Sequence, residues 1–510
     1  MSAIAEDTGT SSTEEGAAPA ASATVIGRSF SFRILAQLLS ALINVAGMVA
    51  LGNYLAADGY GQYAFYYALV PLIASLSDLG VGVIITREIA RQPQLGPRFL
   101  GDALVLKTAI SAAVAVAITA TAPFAFDRSH ALLVWLVTIT ALLDLGQDVG
   151  IWAFRAHDRQ DFEALLLLVS QVAWLAGILL CAALHAPLVL AIACATVSFL
   201  LRSAVSAVLV RRLLYRPLFQ PDWHRIRGLI REGLPFGLAL FAVVLYGRAG
   251  VLLLKALARD ADVAYFNIGY MLSQPLGFIS SAFSVSAFPS LSRGARSGAE
   301  GVRPVLLSAV KFQFLAALPI SVGLFLLSRR VVPLLLHRGS FEKAGVALSV
   351  MSLGLTVIFL NLMSRYVLAA VDLQRAYLRA ILAGLVVNAA VSALTIRTYG
   401  YIGACIGLLA GEAAVLLVCQ HALAQFAPRT QLAREGLRPL IAALTMGAVV
   451  YLLRDANLVL VLATGAAVYV AMIFALQTFS SDELRVMRHV YASFRLPGSA
   501  WLTRADRETP

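Results

Sequence analysis

Two aspartates, Asp144 and Asp148, stand four residues apart. On a helix that spacing sets both carboxylates on one face. Close carboxylates repel, so one of the two is expected to hold a proton. The pair therefore reads as a proton or cation site, and the competing expectation is an ion pair with Arg155 or with an arginine of another helix. Asp78, with Gly80 and Gly82 just after it, is a third coupling candidate or else a partner for Arg33. Among the cations, Arg248 follows Tyr246 and Gly247, and Arg365 lies four residues after Asn361 and so on the same face. A guanidinium can hold a phosphate through two parallel N–H bonds, which suits Arg248 and Arg365 to a pyrophosphate head. Lys107 and Lys311 are further cavity candidates, though lysines at such positions can snorkel to the surface. Arg33, Gln37 and Asn44 recur at steps of four and seven, one polar stripe on an apolar helix. Glu412, after Gly411, reads either way.

All of these residues lie in apolar runs. Of 510 residues, 60% are hydrophobic and only 13% charged, against about 25% charged in soluble domains. A polytopic all-α membrane protein follows. A charge at the bilayer centre costs about 2.5–3.5 kcal/mol on insertion scales, so such residues are functional candidates by default. Apolar runs give about fourteen spans: 30–54, 61–86, 100–124, 131–154, 163–184, 187–210, 233–256, 263–288, 304–328, 345–371, 377–396, 401–424, 438–453 and 457–479. With the N-terminus inside, and with Lys255, Arg379 and Arg438 at span ends counted in the adjoining loops, 25 of the 40 Lys and Arg fall on the cytoplasmic side, 9 on the periplasmic side and six within spans. This bias places both termini in the cytoplasm. The stretch 329–344 is basic yet falls outside, as an amphipathic piece at the interface or a sign of a miscounted span.

The expected organisation is a disordered tail over 1–27, a first six-helix lobe over 28–212 and a basic connector over 213–232. A second six-helix lobe follows over 233–427, then two further helices over 428–480 and a basic tail over 481–510. Leu55-Ala56-Ala57-Asp58 with Tyr63 recurs as Leu257-Ala258-Arg259-Asp260 with Tyr265, an offset of 202 residues. Arg91 and Arg293 keep that offset, and Lys107 and Lys311 follow at 204. An even number of helices per repeat gives two pseudo-symmetric bundles of like orientation, the plan of alternating access around a midplane cleft. Gly47, Pro235, Gly237, Pro275 and Gly277 are places where helices could bend.

Tyr54 to Ala68, Leu76-Ser77-Asp78-Leu79-Gly80 and Thr86-Arg87-Glu88-Ile89-Ala90-Arg91 resemble the first-to-second helix region of Wzx-type polysaccharide flippases. These belong to the multidrug/oligosaccharidyl-lipid/polysaccharide exporter superfamily. Tyr265-Phe266-Asn267 with Phe288-Pro289-Ser290-Leu291-Ser292-Arg293 is similar to the matching stretch of the second half. Asn388 and Tyr399-Gly400-Tyr401-Ile402-Gly403-Ala404 resemble the eleventh and twelfth helices. The resemblance covers roughly residues 28–430. It implies movement of an undecaprenyl-pyrophosphate-linked oligosaccharide across the bacterial inner membrane. Where many relatives carry an acid in the seventh helix, this chain has Gly247-Arg248-Ala249-Gly250.

Other classes fare less well. The four lysines follow no glycine-rich phosphate loop, so the chain carries no ATPase of its own. Cys181, Cys194, Cys405 and Cys419 read as small core residues, without C-x-x-C. The seven histidines are scattered, with no H-E-x-x-H or G-x-S-x-G, so neither enzyme chemistry nor a bound metal or cofactor is expected, only H+ or Na+ as a coupling ion. Tyr215, Trp223 and the connector arginines read as a headgroup-binding surface and not as a nucleic-acid site. The leading expectation is a monomeric flippase in contact with membrane lipids, and with a polysaccharide polymerase and chain-length proteins as partners. The alternatives are a lipid II flippase, a cation-coupled multidrug antiporter, and less readily a polymerase, whose large periplasmic loop is missing.

Overall fold

The computed structural model describes the backbone of residues 18–125, 128–337 and 339–479. Side chains before Leu35 and those of residues 122, 123, 125, 128, 129 and 145 lie outside the description, as do most of the expected N-terminal tail, the C-terminal tail and Arg338. The described residues form fifteen α-helices and no strand. They are α1 (Ala18–Asp78), α2 (Val81–Arg91), α3 (Gly96–Ala125), α4 (Arg128–Ala156), α5 (Gln160–Ala183), α6 (Leu188–Leu213), α7 (Trp223–Leu257) and α8 (Asp260–Ser273). There follow α9 (Gly277–Ala295), α10 (Gly298–Leu335), α11 (Glu342–Ala370), α12 (Gln374–Tyr399), α13 (Tyr401–Leu423), α14 (Arg429–Leu452) and α15 (Leu458–Ala475).

Twelve of these segments are long and apolar enough to cross a bilayer. Two further crossings are interrupted. α1 breaks at Ala56, where φ is 55° and ψ −176°, so it holds two apolar passes. The other crossing is α8 and α9 joined by a short 3-10 turn over Gln274–Leu276. The chain is thus a multi-pass all-α membrane protein with about the number of passes that its hydropathy predicts. α1 begins inside the expected tail because Pro19 suits a first helical turn and Ala20, Ala21 and Ala23 are strong helix formers.

The repeat is visible in the breaks. α1 is interrupted at Ala56, and 202 residues later the chain leaves helix between Leu257 and Asp260. Tyr63 and Tyr265 are both buried. The kink that follows differs between the copies, at Leu79–Gly80 in the first and at Gln274–Leu276 in the second.

The chain divides into two compact units, residues 1–255 and 256–510. In the first, α2, α3, α4 and the start of α7 share a core of Ile85, Leu100, Trp152, Phe154, Ile226 and Leu229. α7 groups here, although the repeat assigns it to the second half. Its Gly233 and Gly237 lie against the backbone of Leu79 and Gly80, and Gly80 has φ +71°. A Cβ on Gly80 would run into the Gly237 nitrogen and the Gly233 carbonyl, so only glycine allows this approach. Gly47 likewise seats the Trp174 ring, whose indole N–H donates to the Tyr63 hydroxyl at 2.9 Å. Gly47 and Gly237 therefore serve close packing, whereas Pro275 does fall at a bend.

In the second unit, α11 is the central helix and packs on α8, α9, α10 and α13. α12 and α13 form an antiparallel hairpin sealed by small residues. Gly407 meets Ser392, and Gly403 meets the Thr395 backbone while its carbonyl accepts from Thr395 Oγ1 at 3.0 Å. α14 and α15 join the bundle through α10, with Leu327, Met446, Val450 and Val461 in one cluster.

The described residues of the basic stretch 329–344 form the end of α10, a 3-10 turn over Gly339–Phe341 and the start of α11. Arg330 donates to the Arg454 carbonyl and, at 2.9 Å, to the Ala456 carbonyl. It thereby satisfies acceptors left free where α14 ends. This structural use accounts for one of the four basic residues of the stretch.

Candidate functional site

In the first unit the predicted coupling residues meet. α4 supplies Asp144, Asp148 and Trp152, α3 supplies Lys107, and Asp78 comes from the end of α1. Lys107 forms an ion pair with Asp148, and its ammonium sits 5.0 Å from the Trp152 ring centroid. The lysine is only 4% exposed, so it is held inside and does not snorkel. Arg155, the alternative partner for the aspartates, instead grips Glu163 of α5 with two bonds of 2.6 and 2.9 Å. The turn 157–159 folds α5 back and brings that glutamate within reach.

Asp144 accepts from Gln147 and lies in the field of Lys107, Asp148 and Arg202. Asp78 accepts from the Gly82 N–H and feels both Lys107 and Asp148, while its Oδ1 is buried without a hydrogen bond. Its suggested partner Arg33 has no described side chain. Arg202 of α6, not among the sequence candidates, sits beside Asp144 and Asp148 with its Nε buried and unsatisfied. Three carboxylates thus face two cations, Lys107 and Arg202.

Arg248 is half-buried on α7 and reaches this group through Tyr67, which also feels Arg202 and Asp144. No carboxylate pairs with Arg248 among the described residues. On the stripe of α1, Gln37 is exposed and Asn44 half-buried.

The second unit keeps its candidates apart. Asn361 is buried and donates to Glu412 of α13, at 2.7 Å to Oε2 and 2.9 Å to the carbonyl. Arg365 is exposed, stacks 5.2 Å from the Tyr366 ring and bonds Tyr377 of α12. The two residues of this face thus engage two neighbouring helices, Asn361 with α13 and Arg365 with α12. Lys311 is 8% exposed and 5.8 Å from the Phe479 ring, buried as Lys107 is and again not snorkelling.

The connector is shorter than expected, because α7 begins at Trp223. Arg225 pairs at 2.9 Å with the fully buried Asp102, and the Leu218 N–H donates to the Pro97 carbonyl at 2.8 Å. Asp222 caps α7, and bonds from the Arg225 and His224 N–H groups hold its carboxyl below the usual range. Tyr215 packs on Gly96, and burial pushes its hydroxyl up to about 12, so it is a packing residue and not a headgroup ligand. Trp223 stays 71% exposed.

An apolar groove of about 330 Å³ runs beside α9, α10 and α15, lined by Phe283, Phe312, Tyr469, Val470 and Phe474 among others.

About fourteen apolar passes among the described residues, with a repeat and a buried charge network, make a polytopic all-α membrane protein. The family model described as "Polysaccharide biosynthesis protein" matches residues 26–295, and that described as "Lipid II flippase MurJ" matches residues 164–479. The chain belongs to the flippases of the multidrug/oligosaccharidyl-lipid/polysaccharide exporter superfamily. A lipid II flippase MurJ in an inward closed conformation has a similar fold, with a TM-score of 0.72, 13% identity, and coverage of 88% of this chain and 98% of that one. An inward-facing multidrug resistance MATE transporter follows at TM-score 0.62, 17% identity, and coverage of 79% and 98%. A Vibrio cholerae MATE transporter gives TM-score 0.55, 16% identity, and coverage of 79% and 97%. No curated protein matches the sequence.

Proposed function

We propose that the chain flips an undecaprenyl-pyrophosphate-linked oligosaccharide from the cytoplasmic to the periplasmic leaflet, for assembly of a surface polysaccharide. The observation that carries this reading is a pair of arginines in membrane-crossing helices, Arg248 and Arg365, that no carboxylate neutralises among the described residues. A guanidinium in a membrane-crossing helix without a countercharge is costly unless an anion shares its site. A pyrophosphate supplies that anion and accepts bidentate bonds. The apolar groove beside α9, α10 and α15 suits a prenyl chain, as its lining offers almost no polar group. Sheltering the head and leaving the tail among apolar surfaces removes the barrier to crossing, and alternating access gives direction. The chain then moves its substrate without transforming it.

Coupling in this reading runs through Asp78, Asp144 and Asp148. Their charge exceeds that of Lys107 and Arg202 by one, which a proton or Na+ would neutralise. Gln37, Asn44, Lys107, Lys311 and Asn361 remain cavity candidates with Arg33. The protein would work as a monomer in the bacterial inner membrane with both termini cytoplasmic, supplying a polymerase and its chain-length proteins.

A lipid II flippase is the second reading, favoured by α14 and α15 and by the MurJ model that extends over them. A cationic-drug antiporter is disfavoured by Arg248 and Arg365. Gene deletion separates these readings. Loss of surface polysaccharide with lipid-linked repeat units accumulating inside supports the first. Lysis with lipid II trapped inside supports the second, and sensitivity to cationic drugs alone supports the antiporter.

A further inference from the structure

The α12–α13 hairpin brings the first turn of one helix beside the last turn of the other. Between them opens a cleft of about 550 Å³, lined by Asp372, Gln374, Arg375, Arg379, His421 and Gln425 among others. We propose that this cleft binds a phosphate-bearing anion. Neither Arg248 nor Arg365 lines the cleft, so the proposal stands independently of the transported substrate.

Arg375 and Arg379 are four residues apart on α12 and so share a face. Like charges at that spacing repel, yet neither arginine forms an ion pair among the described residues. Asp372, in the turn between α11 and α12 with φ 59°, lines the same cleft but pairs with neither. His421 approaches from α13, and Gln425 is fixed in the following turn by donating to the Ala422 carbonyl at 3.0 Å. The first turn of α12 has no side-chain cap, which leaves backbone N–H groups at the same mouth. Two guanidiniums with His421 and Gln425 at the same cleft match a phosphoryl group, which each arginine can hold by two parallel bonds. The volume lies within the range of about 300–1,000 Å³ usual for small-ligand sites. Both helices cross the membrane, so their ends lie at the level of lipid phosphates. The phosphate could thus belong to a bilayer lipid or to a dissolved compound.

Full-length protein is placed in phosphatidylcholine nanodiscs and titrated with inorganic pyrophosphate, following thermal unfolding. In parallel, native mass spectrometry measures retention of phosphatidylglycerol over phosphatidylcholine. A lipid source gives selective phosphatidylglycerol retention without pyrophosphate stabilisation, and a dissolved source gives the reverse. Either is expected to weaken at least tenfold in R375Q/R379Q, and R375K/R379K should recover part of the binding. His421→Gln, which spares both arginines, should give a smaller loss and serves if the double variant unfolds. The proposal is overturned if the wild type binds neither probe, or if R375Q/R379Q, or H421Q where the double variant unfolds, binds as well as the wild type.

Discussion

Lys107 on α3 and Asp148 on α4 form an ion pair in the interior of the first unit, closed over by the Trp152 ring 5.0 Å from the ammonium. Removing one partner of such a pair leaves a buried charge uncompensated, at a cost of about 3–5 kcal/mol. Lys107→Met is therefore expected to destabilise strongly, because Asp78 and Asp144 already crowd Asp148. Lys107→Met with Asp148→Leu should recover most of the loss. Denaturant unfolding of the purified variants in detergent measures the cycle, and purely additive effects would show that the pair is not coupled.

If the three carboxylates carry the coupling ion, Asp144→Asn with Asp148→Asn should abolish proton- or sodium-dependent flipping in proteoliposomes while the protein still inserts. Transport that survives the double change, or a wild type without ion dependence, refutes this assignment.

Arg248→Ala combined with Arg365→Ala should stop export of the polymer, with membrane levels of the protein unchanged. Near-normal surface polysaccharide in that strain would remove both arginines from substrate binding.

Ala56 occupies a region of backbone space that only glycine visits freely, at φ 55° and ψ −176°. Such strain costs on the order of 1–3 kcal/mol. Ala56→Gly should therefore raise stability by about 1 kcal/mol, read as a higher midpoint of thermal unfolding. Gly80→Ala should act in the opposite sense, by separating α7 from Leu79 and Gly80. If Gly80→Ala keeps wild-type stability, the close backbone approach is not what holds α7 there.

Much of this fold was legible because lipid makes strong demands. Each pass needs about 20 apolar residues, so hydropathy alone finds α3 to α6, α11 to α13 and α15 within a few residues, whereas α10 and α14 extend well beyond their predicted apolar spans. The repeat was legible too, since Leu55–Asp58 and Leu257–Asp260 keep one offset and both prove to be helix breaks. Partners were much harder to see. The spacing of Asp144 and Asp148 shows a shared face, but only the packing of α3 on α4 decides that Lys107 lies opposite and not Arg155. Arg202 escaped notice for the same reason, because nothing within α6 reports that α4 stands beside it. Asn361 and Arg365 share a face in sequence, yet α13 takes one and α12 the other. The headgroup role read for Tyr215 failed because Gly96, more than a hundred positions away, makes a seat for its ring.

The two copies of the repeat share a plan but not a stiffness. The kink of the first unit, at Leu79–Gly80, is clamped by the backbone of α7 through Gly233 and Gly237. At the kink of the second unit, a Cβ on Gly277 would meet nothing beyond its own helix within 4 Å except the flexible end of Leu362. Under a bending load the first kink must shear backbone against backbone, while the second needs only a side-chain rotation. Flexing of the passes should accordingly concentrate in α8 and α9, making the second copy the compliant arm of a mechanically lopsided pair.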